Sequence, residues 1–221
     1  MKSIKVRNLQ YSYVGKYQTV HVLKGINCTF EAGKFYAITG ASGSGKTTFL
    51  SLLAGMGNPS EGNISVDGVD LKNVNKDTFR LKRVAVIYQA YNLFPLMNAL
   101  ENVMYPMLEN KIPQKQAEET AKESILMVGL KEKVFKQYPQ MMSGGEQQRV
   151  AIARAMSNAG DIFLADEPTG NLDLRNKKKV LEILQALARK QGQVVIVITH
   201  DQSIAQMADV NYKMIDGKMY L

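Results

Sequence analysis

Short apolar runs that end in polar residues recur along the chain and predict buried β-strands. They cover residues 35–39, 85–88, 162–165 and 194–198. Segments whose apolar residues fall three or four positions apart lie between these runs, as expected of amphipathic helices at residues 46–54 and 176–190. Because strands alternate with helices, the pattern predicts an α/β fold with a mainly parallel central sheet.

Alternating patterns near both ends of the chain predict a second group of strands. Residues 4–9 alternate apolar and polar positions, as an edge or half-buried strand does, and a longer strand pattern covers residues 20–30. We interpret residues 11–15 between them as a turn. Asp67-Gly68 and Asp216-Gly217 are hairpin signals. These features predict a small antiparallel sheet beside the central one and a hairpin near the end of the chain.

The stretch of residues 90–159 carries helical signals and no strong strand pattern. Pro113 stands where a first helical residue would, and four apolar residues follow on one face of the predicted helix. Those four are Ala117, Ala121, Ile125 and Val128. We therefore predict one domain of residues 1–221, in which a helical lobe of residues 90–159 is inserted into a core of residues 1–89 and 160–221.

A glycine-rich stretch joins the strand at residues 35–39 to the helix at residues 46–54. It fits the spacing of a phosphate-binding loop, in which Gly, four further residues and Gly-Lys-Thr follow one another. Glycines let backbone N–H groups point at phosphate oxygens, and the helix N-terminus adds unpaired donors. Lys46 is expected to reach the β- and γ-phosphates and Thr47 to hold Mg²⁺. The predicted binding residues here are Gly40, Ser42, Gly43, Ser44, Gly45, Lys46, Thr47 and Thr48.

Two carboxylates end the apolar run at residues 162–165. A carboxylate at the end of a hydrophobic strand helps to hold Mg²⁺ in phosphate-loop ATPases, and Asp166 fits that role. Glu167 is placed to orient and polarise a water molecule for attack on the γ-phosphate. The pair therefore predicts nucleotide hydrolysis.

A pair of glycines also precedes a helical segment, at Ser143-Gly144-Gly145-Glu146. Ser143 is a good N-cap and Glu146 completes a capping box, so one interpretation is a well-capped structural helix. The other is a second anion site, because glycines at a helix N-terminus leave donors free for phosphate. Since the first loop already wraps one nucleotide, the second site would serve the nucleotide of a neighbouring molecule.

Composition narrows the class of protein without deciding its function. The chain has 221 residues, a formal net charge of +8 and one cysteine, Cys28. No apolar run approaches the roughly 20 residues of a membrane span, and nothing near the first residue points to export. The basic residues are scattered apart from Lys177-Lys178-Lys179, without a nucleic-acid motif. A solvated basic face accounts for the charge, and attraction to anionic lipid is the alternative.

Together these motifs resemble those of the ATP-binding subunits of ABC transporters, and the resemblance covers essentially the whole chain. Ser143-Gly144-Gly145-Glu146-Gln147 resembles the signature loop that distinguishes this family from other phosphate-loop proteins. Two residues depart from the usual signature, since Met142 replaces Leu and Glu146 replaces Gln. The resemblance implies the ABC ATPase variant of the phosphate-loop NTPase fold, with ATP and Mg²⁺ as cofactors.

The resemblance also implies roles for residues whose local pattern is uninformative. Tyr13 would stack on adenine, with Tyr11 as the alternative, and Gln89 would sense Mg²⁺ and the attacking water. Asp173 would belong to the loop after the catalytic glutamate, and His200 would contact the γ-phosphate. The implied catalytic residues are Glu167, His200, Lys46 and Gln89. The implied Mg²⁺ ligands are Thr47, Gln89 and Asp166. Two copies would pair head to tail, with Ser143, Gly144 and Gly145 capping the partner's nucleotide.

A narrower resemblance concerns the partner of the subunit. Thr169-Gly170-Asn171-Leu172-Asp173 is similar to the form found in the macrolide-exporter, lipoprotein-release, cell-division and antimicrobial-peptide-resistance group. This implies a subunit at the cytoplasmic face of the membrane that powers a separate permease, for efflux, lipoprotein release or peptide resistance. The alternative is a cell-division ATPase that regulates a membrane partner without transport.

Three other classes fit the sequence less well. A chromosome or repair ATPase would need a long heptad coiled coil between Lys46 and Asp166, and the intervening chain is short and lacks heptads. A translation factor of the two-cassette type would need a second cassette. A small-molecule kinase would lack the glycine pair after Ser143 and the Asp166-Glu167 pair.

The segment after Gln89 is unusually apolar for a loop. Residues 90–97 contain five large apolar or aromatic side chains, and Met104 and Met107 lie just beyond. About half of them are expected to pack inside the helical lobe. The rest predict an exposed groove for a short permease helix, since methionines suit a surface that repacks. The predicted lining residues are Leu93, Phe94 and Leu96, with Phe94 as the hot spot.

Overall fold

The computed structural model of the chain describes residues 2–157, 160–170 and 172–221. Its strands are β1 Ser3–Val14, β2 Thr19–Glu31, β3 Phe35–Thr39, β4 Glu61–Val66, β5 Val69–Asp70, β6 Val84–Ile87, β7 Ile162–Asp166, β8 Val194–Ile198, β9 Val210–Ile215 and β10 Lys218–Tyr220. Its α-helices are α1 Lys46–Leu53, α2 Lys76–Arg83, α3 Ala99–Glu109, α4 Gln114–Met127, α5 Gly144–Ser157, α6 Leu174–Gln191 and α7 Gln202–Met207.

The central sheet has the strand order β10-β9-β3-β8-β7-β6. All its pairs are parallel except β9 with β10, which form the hairpin predicted near the end of the chain. Every residue of β3, β7 and β8 is buried, as expected of parallel strands covered on both faces. The predicted mainly parallel α/β sheet is confirmed.

Alternate residues of these strands face two separate hydrophobic clusters. Phe163 and Val195 belong to the cluster formed with α3, α4, α5 and α6. Leu164 and Ile196 belong to the cluster formed with β1, β2 and α1. The central sheet therefore lies between the helical side of the molecule and the antiparallel sheet.

The antiparallel sheet has the order β2-β1-β4-β5, which confirms the small second sheet. β1 lies between β2 and β4, and its residues 4–9 are half-buried, which is one of the two alternatives predicted for them. The predicted turn at residues 11–15 is wrong, because residues 11–14 continue β1. The turn lies later, where the Gly15 backbone N–H donates to the Gln18 carbonyl at 2.9 Å. Register shifts between Val6 and Leu9 interrupt the alternation that a strand otherwise shows in sequence.

Both predicted hairpin turns are present. Asp67 and Gly68 have φ angles of 53° and 86°, and Asp216 and Gly217 have 45° and 75°. Two successive residues with positive φ give the turn geometry whose twist matches antiparallel strands. In each case Asp-Gly is the residue pair that this geometry favours.

Helices α3, α4 and α5 lie within the predicted lobe and pack against one another. The predicted face of α4 is buried, and Pro113 precedes its first residue as the N-cap. The buried residues of these helices share a cluster with Phe163 of the sheet and Leu184 of α6. The lobe is therefore packed continuously onto the core, and its boundaries at residues 90 and 159 stay a prediction.

Candidate functional site

The site lies at the carboxyl ends of four neighbouring parallel strands. β3, β8, β7 and β6 are adjacent in that order. The glycine-rich loop follows β3 and His200 follows β8, whereas Asp166 ends β7 and Gln89 follows β6. Because parallel strands end at the same edge of a sheet, residues far apart in sequence meet there.

The glycine-rich loop presents an uncapped helix N-terminus. Gly45 is the N-cap of α1, with a φ of 104° and no side-chain cap hydrogen bond. At Gly45 a Cβ would lie 2.9 Å from Leu23 Cδ2 and 3.1 Å from the Val22 carbonyl, so the position needs glycine for both conformation and space. The first turn of α1 therefore keeps backbone donors for a ligand.

Lys46 and Thr47 already have polar partners in the structure. The Lys46 Nζ donates to the Gly40 carbonyl at 3.0 Å and to the Ala41 carbonyl at 2.8 Å. The Thr47 hydroxyl donates to Asp166 Oδ2 at 2.8 Å, which joins the loop to the end of β7. Burial raises the pKa of Asp166, as does the neighbouring Glu167, while the Thr47 hydrogen bond and Lys46 oppose the shift.

Glu167 is held by the residues that follow β8. Its Oε2 accepts from the Thr199 hydroxyl at 3.2 Å. Its Oε1 accepts from the His200 backbone N–H at 2.9 Å and lies 2.7 Å from His200 Nδ1. Glu167 has a φ of 49°, a conformation that costs energy for a residue with a side chain. The carboxylate direction is thus set by contacts between neighbouring strand ends.

A cavity of about 410 Å³ unites most of the predicted residues. Its lining comprises Val22, Gly40, Ser42, Gly43, Gly45, Lys46, Thr47, Thr48, Gln89, Asp166, Glu167 and His200. Ser44 does not line it. Its side chain is buried against a smaller cavity of about 220 Å³ beside the β9–β10 hairpin, and no hydrogen-bond partner of its hydroxyl lies in the described residues.

Two residues of the site were missed by sequence reasoning. Val22 of β2 forms an apolar wall of the cavity, and Thr199 orients Glu167. Thr199 had a usable signal, since it is a polar residue at the end of a buried strand beside His200. Val22 had none, because nothing in its local pattern shows that β2 passes over the loop.

The two tyrosines of β1 differ in exposure. The Tyr13 side chain is 52% exposed, and its hydroxyl lies 3.4 Å from the Thr48 hydroxyl at the edge of the site. Tyr11 packs edge-on against it, with ring centroids 5.0 Å apart, and is partly buried in the core. Because stacking requires an accessible ring face, Tyr13 is the better candidate for adenine.

The donor set around the cavity fits Mg²⁺. Thr47, Gln89 and Asp166 supply neutral and carboxylate oxygens, which this ion prefers. In the described part of the chain, no group of three or more His, Cys, Asp or Glu side chains could hold a metal ion. A site with few protein ligands is typical of Mg²⁺, which is bound largely through phosphate and water.

The signature residues lie away from this cavity. Ser143 and Glu146 form the predicted capping box, since the Ser143 backbone N–H donates to Glu146 Oε2 at 2.9 Å and the Glu146 N–H donates to the Ser143 hydroxyl oxygen at 3.3 Å. The Ser143 hydroxyl also donates to Glu146 Oε2 at 2.8 Å. Asp173 caps α6 through the Asn176 N–H at 2.9 Å, and Asn171 of the same motif lies outside the described residues. The chain's own loop does not meet Ser143, Gly144, Gly145 or Asp173.

The loop after Gln89 lines a separate groove of about 280 Å³ together with residues of β6, α3 and α5. Phe94, 38% exposed, lies in it and packs on Tyr105 with ring centroids 4.7 Å apart. Neither Leu93 nor Leu96 lines the groove, so these two predictions are wrong: Leu96 is 90% exposed, and Leu93 packs partly against the core. Met104 and Met107 are buried, so the idea that they form a surface that repacks is wrong.

No α-helix in the described ranges is both long enough and apolar enough to cross a membrane. The structure therefore offers no membrane-spanning helix within those ranges.

A family model and several curated proteins match the sequence of this chain. The family model described as ABC transporter matches residues 23–170. The chain is similar to the uncharacterized ABC transporter ATP-binding protein YclH of Bacillus subtilis (strain 168), with 42% identity over 217 residues, 98% of the chain and 95% of that protein. It is 38% identical over 219 residues to the lipoprotein-releasing system ATP-binding protein LolD of Syntrophus aciditrophicus (strain SB), covering 98% of each.

A solved structure extends the similarity to three dimensions. It is the dimeric post-hydrolysis state of the ATP-binding cassette MJ0796 of Methanocaldococcus jannaschii, bound to ADP and Pi. The TM-score is 0.94 at 32% identity, and the match covers 99% of the chain and 97% of that chain. The fold inferred from the motifs is thereby confirmed.

Proposed function

Because the chain belongs to the ABC transporter family of ATP-binding proteins, we propose that it powers a separate membrane permease by binding and hydrolysing ATP. The family resemblance inferred from the motifs is confirmed, as is the narrower group. ATP binding and hydrolysis follow from the family. The observation that carries the residue assignments is the single cavity that unites Lys46, Asp166 and Glu167.

The loop is proposed to bind the phosphates of ATP. Backbone N–H groups between Gly40 and Thr48 and the open N-terminus of α1 supply donors for the phosphate oxygens. The Lys46 ammonium leaves the Gly40 and Ala41 carbonyls and pairs with the β- and γ-phosphates. Tyr13 stacks on the adenine at the exposed end of the site.

Mg²⁺ is proposed to be held by Thr47, Gln89 and Asp166 together with phosphate oxygens. When bound, it neutralises charge on the β- and γ-phosphates during transfer. The hydrogen bond between Thr47 and Asp166 places the hydroxyl and the carboxylate side by side. Ionisation of Asp166 is opposed by its burial and favoured by cations in the site.

Glu167 is proposed to accept a proton from the attacking water. Thr199 and His200 fix the direction of the carboxylate through hydrogen bonds. His200 contacts the γ-phosphate through the ring nitrogen that does not face Glu167. Gln89 lines the same cavity and orients the water. It also couples the state of the nucleotide to the loop that follows it in the sequence.

A second copy is proposed to complete the site. Ser143, Gly144 and Gly145 lie outside the cavity of their own chain and have the donors to cap the γ-phosphate of a partner. Asp173 follows the catalytic glutamate in sequence and would lie at the same junction. The solved structure of MJ0796 is dimeric, which supports head-to-tail pairing of this chain.

The permease is proposed to dock at the Phe94 groove, from the cytoplasmic face of the membrane. A half-exposed aromatic ring in a shallow groove directly behind Gln89 suits a short amphipathic helix. The name of LolD describes lipoprotein release, and this cargo is one of the candidates with efflux and peptide resistance. Regulation of a membrane partner without transport is the alternative.

Capture of the permease tests this proposal. The permease is first identified as the integral-membrane chain that co-purifies from detergent extracts. Phe94→Ala should weaken its capture by about 2 kcal/mol or more, because an aromatic anchor in a groove carries much of the binding energy. Tyr220→Ala, which removes an exposed aromatic from the C-terminal hairpin, is the control. Unchanged capture by Phe94→Ala, with ATP binding intact, would place the docking surface elsewhere.

A further inference from the structure

Arg154 of α5 reaches out of its helix to the loop that follows Gln89. Its Nη1 donates to the Asn92 carbonyl at 2.7 Å and its Nη2 to the Tyr91 carbonyl at 3.1 Å. The guanidinium carbon lies 5.8 Å from the centroid of the Phe94 ring. One side chain therefore contacts three of the four residues from Tyr91 to Phe94.

The loop at this point has a conformation that needs support. Tyr91 and Asn92 have φ angles of 57° and 49°, and two successive left-handed residues persist only where their surroundings impose them. A planar guanidinium can donate to two adjacent carbonyls at once, which a lysine ammonium does less well. Among the described residues no carboxylate lies within ion-pair distance of Arg154, and its guanidinium is bound by the two loop carbonyls beside the Phe94 ring.

The same loop contacts α5 at its other end. At Gly144 a Cβ would lie 2.8 Å from the Tyr91 phenol oxygen, so the ring reaches the first residue of the helix. Gly144 lies between Ser143 and Gly145, the donors proposed for the partner's γ-phosphate. The loop therefore contacts α5 near both ends, and this 14-residue helix is rigid on that scale.

We propose that Arg154 is a positioning residue that holds α5 against the loop after Gln89, so that Ser143 and Gly145 face the partner's nucleotide. This inference rests on the proposed head-to-tail pairing. Arg154 acts through α5 and touches no nucleotide itself. Movement of the loop, whether started at Gln89 or at the Phe94 groove, is carried to Ser143 through the guanidinium.

The fold of α5 does not depend on this contact. Val150 and Ile152 are buried in the core, and the Ser143–Glu146 capping box closes the helix start. Loss of the guanidinium should therefore allow α5 to change its orientation relative to the loop after Gln89 without unfolding. Nucleotide binding at the chain's own loop should be unchanged, whereas engagement of a partner's nucleotide should weaken.

The test is ATP-dependent dimerisation in a Glu167→Gln background, in which bound ATP is not consumed. Arg154→Met keeps the apolar part of the side chain and removes the guanidinium. It should weaken ATP-driven dimerisation about tenfold or more, within the usual range of coupling between sites. ATP affinity of the monomer should stay at the Glu167→Gln value. Arg154→Lys should recover part of the loss, because an ammonium can still donate to one carbonyl.

Arg80→Met is the matched control. The Arg80 Nη1 also donates to a backbone carbonyl, that of Gly55 at 2.9 Å, and among the described residues its hydrogen-bond partners, Gly55 and Asp77, lie outside the loop that follows Gln89. Its dimerisation should equal that of Glu167→Gln. A merely structural role for Arg154 would lower the melting temperature and ATP affinity together in Arg154→Met and leave dimerisation of the folded, ATP-bound protein unchanged.

A second measurement separates this inference from the proposed pairing. The chain has no tryptophan, so Met141→Trp, at an exposed position two residues before Ser143, gives a single emitter beside the signature. Arg154→Met should change its emission and its quenching by iodide in the monomer, whereas Arg80→Met should not. Failure of Glu167→Gln to dimerise with ATP contradicts the pairing alone. Unchanged tryptophan emission, or unchanged dimerisation in Arg154→Met, overturns the positioning role.

Discussion

The two glycine-rich helix N-termini of this chain are built in opposite ways. α1 begins after Gly45, which gives the helix no side-chain cap. α5 begins after Ser143, whose hydroxyl and backbone N–H both donate to the Glu146 carboxylate. One N-terminus leaves its donors for a ligand, whereas the chain itself closes the other.

The surroundings of the two helix starts explain the difference. The start of α1 opens into the cavity that contains Asp166 and Glu167, so a phosphate bound there meets the reacting groups at once. The start of α5 lies outside that cavity and is stabilised by its own capping box. In the proposed dimer, a partner's phosphate must therefore share the Ser143 hydroxyl with Glu146. The start of α1 is therefore open to a ligand, whereas the start of α5 is already closed by its own side chains.

The largest effect is expected from a substitution that disables catalysis in the cavity at the start of α1. Glu167→Gln keeps the shape of the side chain and removes the proton acceptor, so ATP turnover should fall by about 10²- to 10⁴-fold. ATP binding should be retained, because Glu167 does not belong to the phosphate-binding loop. Steady-state ATPase assays and nucleotide titrations measure both quantities. Glu123→Gln, an exposed carboxylate on α4, is the control, and wild-type turnover in Glu167→Gln would refute the assignment.

A smaller effect is expected when the same cavity loses the positive charge of Lys46. Lys46→Ala should weaken ATP binding by about 1.5–3 kcal/mol, the usual contribution of a hydrogen bond to a charged group. Lys72→Ala is a matched control, since the Lys72 Nζ also donates to a backbone carbonyl, that of Gly62 at 3.0 Å. Equal ATP affinity in the two variants would show that Lys46 keeps its loop carbonyls when nucleotide binds.

The smallest effect concerns the closed helix start. The Ser143 backbone and hydroxyl hydrogen bonds hold the pKa of Glu146 below its usual range. A carboxylate with a lowered pKa contributes stability that is present above its unfolded pKa and is lost as pH falls through the folded value. Glu146→Gln should therefore cost about 1 kcal/mol or less near pH 7. The gap between wild type and variant should narrow as the pH falls below about 4, the ordinary glutamate range.

Urea denaturation of wild type and Glu146→Gln across this pH range measures the gap. The same substitution should strengthen ATP-driven dimerisation in the Glu167→Gln background, because it removes a negative charge near the partner's phosphate. A stability gap independent of pH would show that the carboxylate is not the anchor of the helix start.

The error at residues 11–15 shows where a local pattern fails. Tyr13 pairs with Val20 of β2, so the segment is strand because of a partner, not because of its own alternation. The shifts of register along β1 remove the period-two signal on which the prediction depends. The same strand position decides that Tyr13, more than Tyr11, faces the site.

The apolar segment after Gln89 shows a second limit. Leu96, within the apolar segment of residues 90–97, is almost fully exposed, whereas Met107, just beyond it, is buried. Composition alone could not separate them, because burial depends on which face of the lobe each side chain meets. Phe94 lies in the groove as predicted, and its role in docking stays a prediction.

Local chemistry determined much of this protein from the sequence alone. The phosphate loop, the Ser143–Glu146 capping box and the Asp-Gly turns depend on residues within a few positions of one another, so their spacing predicts them. Only the tertiary structure decided which distant groups meet. Thr199 orients Glu167 across 32 positions, and Arg154 holds the Tyr91 carbonyl across 63. Such contacts depend on strand order and on the packing of α5, which no single segment of sequence encodes.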